Sequence, residues 1–353
     1  MANPVRFGII GCGEIGQSLG GTDTYSGIGA FHARYITEIE GAELVAVADI
    51  KERNAKALSE KFGLKQYYTD YHDLLARPDI DVVNICTPSG THGEIAIAAA
   101  RAGKHVIVEK PMDITVEKAD AIIRECEQAG VKLQVVMPHR FGKGMRAAKA
   151  ALASGELGKV ILGNAVCRRY RTQQYYTDSS WRGTWAFDGG GALMNQGIHI
   201  IDSFLHLIGD VDSVYGRMDT LGHPGVEVED TAVAVVKFTS GALGTIVGTT
   251  CAYPDFGDRI EIHAERGSIV LEGLPPRLVT WEPMDKSKRL DLSQFEEDPR
   301  EYYSHKFIFE DMVAAINEDR QPQVHGREGK RALEVICAIY DSARQGKAVE
   351  LSS

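Results

Sequence analysis

Five short apolar runs recur along the first 138 positions: VRFGIIG from Val5, LVAVADI from Leu44, DVVNICTP from Asp81, HVIVEKP from His105 and KLQVVMP from Lys132. Runs without polar alternation mark strands buried on both faces of a parallel sheet. Between them, apolar residues at helical spacing predict helices over Ala30–Ile39, Glu52–Phe62, Thr91–Arg101 and Thr115–Ala129. Strand and helix in alternation predict an α/β domain, a doubly wound parallel sheet, over residues 1–138.

The pattern then changes. Helical spacing is confined to Gly142–Ser154, Gly197–Leu207 and Gly329–Gln345, and strand-like segments dominate the rest: Val160–Tyr170, Val211–Met218, Thr231–Phe238, Leu243–Thr250, Arg259–Ala264 and Ser268–Leu271. Hairpin signals such as Thr239-Ser240-Gly241 and Glu265-Arg266-Gly267 favour antiparallel pairing. Residues 139–353 are therefore expected to form a second, α+β domain with a large, mostly antiparallel sheet. The polar stretch Pro283–Pro299 reads as a surface excursion, and no internal repeat is present.

With 353 residues, 44% hydrophobic and 25% charged, the chain has core enough for two domains without metal or disulfide staples. Its net charge of -10 argues against nucleic acid or an anionic membrane as partner. Six scattered cysteines include no C-x-x-C pair, which fits a reducing cytoplasm and neither a zinc site nor a disulfide framework. No uninterrupted run of about 18 apolar residues suggests a membrane span.

Gly11-Cys12-Gly13 directly follows the first predicted strand, where glycines permit a tight turn and close approach of backbone to a pyrophosphate. Gly16 would complete G-x-G-x-x-G, but the glycines and turn formers that follow it cannot make a helix. The acid that ends the second strand is expected about 20 residues after the fingerprint. Asp49 stands 20 after Gly29 and 33 after Gly16, so Gly29 is taken as the third glycine and Glu14 to Ser26 as an inserted loop. Asp49 can accept the ribose hydroxyls and repel a 2′-phosphate, favouring NAD over NADP, although Lys51 and Arg53 nearby weaken that preference.

Two more strand ends carry polar groups: Thr87-Pro88 with His92, and Glu109-Lys110-Pro111. In open α/β sheets the carboxyl ends of strands face the ligand crevice, which would set Lys110 near a nicotinamide; a lone lysine at a strand end is otherwise a surface group. Farther on, Asn195, His199 and Asp202 share one helix face, where a carboxylate could orient a histidine acting as general acid or base. His199, Asp202 and His206 also make a conceivable metal set, but nothing else supplies ligands at matched spacing, so no metal is expected.

Together these pieces make the chain resemble, over nearly its full length, the Gfo/Idh/MocA family, named for glucose-fructose oxidoreductase, inositol dehydrogenase and a rhizopine catabolism protein. The resemblance rests on Gly11-Cys12-Gly13, Ile28-Gly29 with His32-Ala33, Asp49, Thr87-Pro88 with His92, Glu109-Lys110-Pro111, Arg140-Phe141, the stretch from Gly189 through His199 and Asp202, and Gly326 to Gly346. It implies a Rossmann domain, a second domain with an open sheet that often mediates oligomerisation, and nicotinamide-dependent redox of a sugar or cyclitol hydroxyl. Lys110 and His199 are the implied catalytic pair. Gly11, Gly13, Ile28, Gly29, Asp49, Thr87, Pro88, His92, Glu109 and Lys110 are the implied cofactor contacts. One departure matters: many members carry Asp where this chain has Asn195, and Asn can neither hold negative charge nor take a proton.

The expected reaction is hydride transfer between a ring hydroxyl and NAD. His139, Arg140, Tyr176, Arg182, Trp185, Asn195 and His199 are candidate substrate contacts, and the run Arg168-Arg169-Tyr170-Arg171 could meet an acidic sugar. Two other readings stay open: a glycoside-cleaving enzyme that oxidises a ring hydroxyl transiently and eliminates the aglycone, and a non-enzymatic NAD- or sugar-binding regulator. A homodimer or homotetramer is expected.

Overall fold

The computed structural model describes residues 3–15, 25–295 and 305–351. The chain folds into two compact units, Met1–Val136 with Ser304–Gly329 and Met137–Tyr303 with Lys330–Ser353. The sequence suggests one boundary, after Pro138; in the fold, residues 304–329 return to the first unit.

That unit contains β1 (Val5–Ile10), β2 (Glu14–Ile15), β3 (Tyr25–Ser26), β4 (Ala42–Ala48), β5 (Tyr67–Tyr68), β6 (Val82–Ile85), β7 (His105–Val108) and β8 (Leu133–Val135). Six of them form a wholly parallel sheet in the order β5-β4-β1-β6-β7-β8. Phe7, Ile9, Val82, Val83, Ile85 and Ile107 are fully buried, which explains the unbroken apolar runs. The returning segment supplies the helix Lys306–Asn317, whose Phe309 packs edge-on to Phe7 with ring centroids 6.1 Å apart. Gln134 in β8 donates to Asp311 at 3.1 Å, and the Val135 amide to the Val324 carbonyl at 2.9 Å.

The segment from Glu14 to Ser26 opens and closes as an antiparallel ribbon of β2 with β3; residues 16–24, including Gly16, lie outside the described residues. Beyond the ribbon, the helix Ile28–Thr37 begins two residues earlier than its apolar spacing suggested. Its entry is a backbone-to-backbone contact. A Cβ on Gly13 or Gly27 would collide with the other glycine, and one on Gly29 with the Gly11 carbonyl oxygen.

The second unit is built on an eight-stranded mixed sheet: β9 (Val160–Arg168), β10 (Val211–Asp219), β11 (Thr231–Phe238), β12 (Leu243–Thr249), β13 (Gly257–Ala264), β14 (Gly267–Glu272), β15 (Arg277–Pro283) and β16 (Val349–Glu350). Its order is β15-β14-β13-β9-β12-β11-β10-β16. Every pair is antiparallel except β9 with β12. Along β11, Ala232, Ala234, Val236 and Phe238 are buried while Val233 and Val235 face out, the period-2 signature of a sheet covered on one face. The helix Ile198–Ile208 lies on the buried face, where Phe204 meets Phe238 at 5.4 Å.

Gly29→Ala tests the helix entry. Overpacking against a carbonyl should cost at least about 2 kcal/mol, read as a lower denaturation midpoint, together with loss of NAD binding; an unchanged midpoint would contradict the packing described.

Candidate functional site

Four strands that are neighbours in space, β4, β1, β6 and β7, each end in one of the expected polar elements. Asp49 follows β4, Gly11 to Gly13 follow β1, Thr87-Pro88 follow β6 and Glu109-Lys110 follow β7. Gly11 and Gly13 have φ of 94° and 79°, a region that favours glycine. Asp49 Oδ2 accepts from the Cys12 amide at 2.8 Å and Oδ1 from the Lys51 amide at 2.8 Å. The carboxylate thus ties the glycine loop to the start of the helix Glu52–Lys61. Each of its oxygens keeps further lone-pair capacity for a hydroxyl donor. Ile28 is the first residue of the helix that Gly29 seats against the loop.

Lys110 is partly exposed and joined to Pro111 by a cis bond. Its backbone is held from two sides. The Lys110 amide donates to Glu109 Oε2 at 3.0 Å. His92, buried, spans two carbonyl oxygens, with Nδ1 2.8 Å from that of Pro111 and Nε2 2.8 Å from that of Thr87. Both ring nitrogens lie within hydrogen-bonding distance of backbone carbonyls, so this side chain braces the strand ends. Thr91 Oγ1 completes the brace, donating to Pro88 O at 2.7 Å with Thr87 Oγ1 at 2.9 Å.

Behind Lys110 lies a buried chain that the sequence did not reveal. Asn84 Nδ2 lies 2.8 Å from His32 Nδ1, and His32 Nε2 lies 3.2 Å from Glu109 Oε1. Burial pushes the Glu109 carboxyl up, but the His32 ring 3.2 Å away and the charges of His305 and Lys110 outweigh it and bring it down to about 2. Glu109 is therefore an anion under the lysine.

In the second unit the stretch Asp188 to Gly191 leads into a π-helical turn, Ala192–Gly197, and then into the helix Ile198–Ile208 that carries His199 in its first turn. Single π turns within helices occur frequently at functional sites. Glu229 pins this one: its carboxylate accepts the Gly191 amide at 2.7 Å, the Leu193 amide at 2.8 Å and the Tyr340 hydroxyl at 2.8 Å. Burial pushes Glu229 up to about 7, against the pull of those donors. The only signal for it in sequence is the Glu229-Asp230 pair at the mouth of a strand. Asn195 donates to Asp188 Oδ1 at 2.7 Å, and Gln196 donates to Asn195 Oδ1 at 3.0 Å. The His199 ring lies 4.9 Å from that of His139, tilted by 38°.

Four expectations are corrected here, those for Asp202, Arg140, Tyr176 and Arg169. Asp202 does not orient His199; it takes both the Nε and an Nη of Arg140, at 2.9 and 2.6 Å. Arg140 is accordingly a buried partner of Asp202, and Asp202 no metal ligand. Tyr176 lies in the core with its hydroxyl 2.9 Å from Thr250 Oγ1, while neighbouring Tyr175 packs against Arg171 and Arg182. Trp185 donates to the Glu227 carbonyl at 2.9 Å and stands edge-on to Tyr340. Arg169, from the basic run, is buried on Asp258 at 2.7 Å.

Residues 5–137 match the model of an oxidoreductase family with an NAD-binding Rossmann fold, and residues 145–270 match the GFO/IDH/MocA C-terminal domain. The chain belongs to the Gfo/Idh/MocA family. It is similar to myo-inositol 2-dehydrogenase of Thermotoga maritima, at 29% identity over 98% of each chain. It is 27% identical to scyllo-inositol 2-dehydrogenase (NAD(+)) of Bacillus subtilis, over 99% of this chain and 97% of that one. Among solved structures, the WlbA dehydrogenase of Bordetella pertussis, in complex with NADH and UDP-GlcNAcA, is 31% identical, covers 99% of this chain and 100% of its own, and superposes with a TM-score of 0.86. This Gfo/Idh/MocA member is an NAD-dependent oxidoreductase, and its first unit fits the cofactor: positive-φ glycines at the end of β1, a helix N-terminus packed onto them, and an acid at the end of β4.

Because Glu109 titrates near 2 in the fold against an ordinary 4.5, its stabilisation is complete above pH 4.5 and disappears as pH falls through 2. That amounts to on the order of 3 kcal/mol. Urea denaturation between pH 6 and 2 should show wild type losing this increment and Glu109→Gln losing far less; equal slopes would refute the assignment.

Proposed function

We propose that this oxidoreductase transfers a hydride between the ring hydroxyl of a sugar, sugar derivative or cyclitol and NAD, with Lys110 and His199 handling the hydroxyl proton. The observation that carries the reading is the arrangement of four adjacent strand ends, which brings glycine loop, acid and lysine to one edge of one sheet. NAD, when bound, supplies the hydride acceptor and, in reverse, the donor. Gly11, Gly13 and the amides opening the helix Ile28–Thr37 would hold its pyrophosphate, and Asp49 its ribose hydroxyls. Thr87, Pro88 and Glu109 shape the wall that carries Lys110.

Lys110 and His199 are suited to take or return a proton, because an amine above a buried anion and an imidazole both change charge at accessible cost. Asn195, one helical turn before His199, fits as a positioning group. Its amide hydrogen meets the Asp188 carboxylate, where an Asp in its place would set two like charges together. The carboxylate that many relatives hold at position 195 is thus supplied here one step away, by Asp188. The similarity to two inositol dehydrogenases supports a polyhydroxylated ring as substrate.

Two finer readings accompany this. The outward positions Tyr215, Val233, Val235 and Leu243 put apolar surface on one face of the large sheet, which supports assembly into a homodimer or homotetramer. All six cysteines are unpaired, which supports residence in a reducing cytoplasm.

Lys110→Ala and His199→Ala should each lower kcat by about 10²- to 10⁴-fold while NADH binding, followed by fluorescence, is retained. Near-normal turnover in both would remove them from the chemistry. Recording aglycone release beside NADH formation on chromogenic glycosides separates net oxidation from redox-neutral cleavage. Titration of NAD against NADP should favour NAD by at least about tenfold, and Asp49→Ser should erode that preference; a native preference for NADP would overturn the role given to Asp49.

A further inference from the structure

We propose that Arg171 and Arg182 form a seat for an anionic group, a carboxylate or phosphoryl, on the substrate of the reaction described above, so that the natural substrate is an acidic sugar or cyclitol derivative. This rests on the redox reading, and extends it to substrate class.

The buried arginines Arg140 and Arg169 are neutralised, by Asp202 and Asp258; Arg171 and Arg182 are partly buried and are not so paired. Among the described residues, Arg171 finds only neutral acceptors, the Gln196 amide oxygen at 2.6 Å and the Tyr170 carbonyl at 3.0 Å. The guanidinium of Arg182 packs over the rings of Tyr175 and Trp181 and has no carboxylate partner among those residues. The Nε of each arginine is buried without a hydrogen-bond partner. Both guanidinium carbons lie over the same Tyr175 ring, at 5.3 and 4.5 Å from its centre, and so within about 10 Å of one another.

Two partly buried like charges this close are costly unless a counter-charge is expected, and buried donors left unmade are costlier still. An oxyanion answers both demands, because arginine forks match carboxylate and phosphoryl oxygens. The net charge of -10 disfavours an anionic ligand at long range, and a local cationic seat offsets that. The seat also connects to the expected chemistry. Gln196, which accepts from Arg171, donates to the Tyr175 hydroxyl at 3.0 Å and to Asn195, which is anchored on Asp188. Asn195 precedes His199 by one helical turn.

The test compares initial rates of NADH formation on glucose, glucuronate, glucose 6-phosphate and UDP-glucose, for wild type and for R171Q, R182Q, R171K and R182K. Calorimetric binding of the same four sugars to NADH-loaded enzyme runs alongside. At least one anionic sugar should exceed glucose in kcat/KM by tenfold or more; the glucuronate and phosphate arms tell carboxylate from phosphoryl. Each Gln variant should reduce that anion-to-neutral ratio at least tenfold, mainly through KM, with the Lys variants retaining part of it. A ratio near one, or a ratio the Gln variants leave intact, overturns the seat. If no sugar is oxidised but an anionic one binds more tightly than glucose, and the Gln variants abolish that difference, the seat stands and the redox reading falls. If no anionic sugar binds more tightly, the seat falls.

Discussion

Everything in the first unit depends on how closely the turn after β1 approaches the helix that follows the ribbon. Two glycine pairs, Gly13 with Gly27 and Gly11 with Gly29, let main chain lie on main chain with no room for a side chain between. Asp49 then locks the turn from the neighbouring strand by accepting the Cys12 amide. The result is a helix N-terminus whose free amides open beside positive-φ glycines, a setting made for a pyrophosphate. The ribbon β2–β3 explains how the interrupted fingerprint works: the paired ends of the insertion deliver Gly27 and Gly29 to where a continuous G-x-G-x-x-G would have placed its last glycine.

A second theme is the use of buried ionic groups to fix geometry. Glu109 is held as an anion by His32 and supports the peptide that carries Lys110. Glu229 gathers two amides and a phenol to hold the π turn before His199. Asp202 and Arg140 form a bidentate pair. Each of these groups is desolvated, and so removing one partner leaves the other exposed to the full penalty of burial. Arg171 and Arg182 stand out against that background as charges with no carboxylate partner among the described residues.

The readable part of the sequence was the part governed by local rules. Parallel strands, buried on both faces, wrote themselves as apolar runs, and the spacing of Asp49 from Gly29 singled out the helix entry. The lysine before proline and the histidine four after an asparagine were visible for the same reason. What stayed hidden depends on partners distant in sequence. Asp202 looked like the orienting carboxylate of His199 because it lies three residues away, yet Arg140, 62 positions earlier, claims it. Tyr175 and Tyr176 are adjacent, and only the packing decides which is core and which faces the arginines. The brace of His92, and the return of residues 304–329 to the first unit, likewise arise from contacts no periodicity encodes.

The most direct measurement is a crystal structure of the enzyme soaked with NADH. The pyrophosphate is predicted against the amides of Cys12 to Gly13 and the opening of the helix Ile28–Thr37, the adenosine ribose on Asp49, and the nicotinamide within hydrogen-bonding reach of the Lys110 amine. A coenzyme seated at the opposite end of the parallel sheet, or a nicotinamide remote from Lys110, would contradict it.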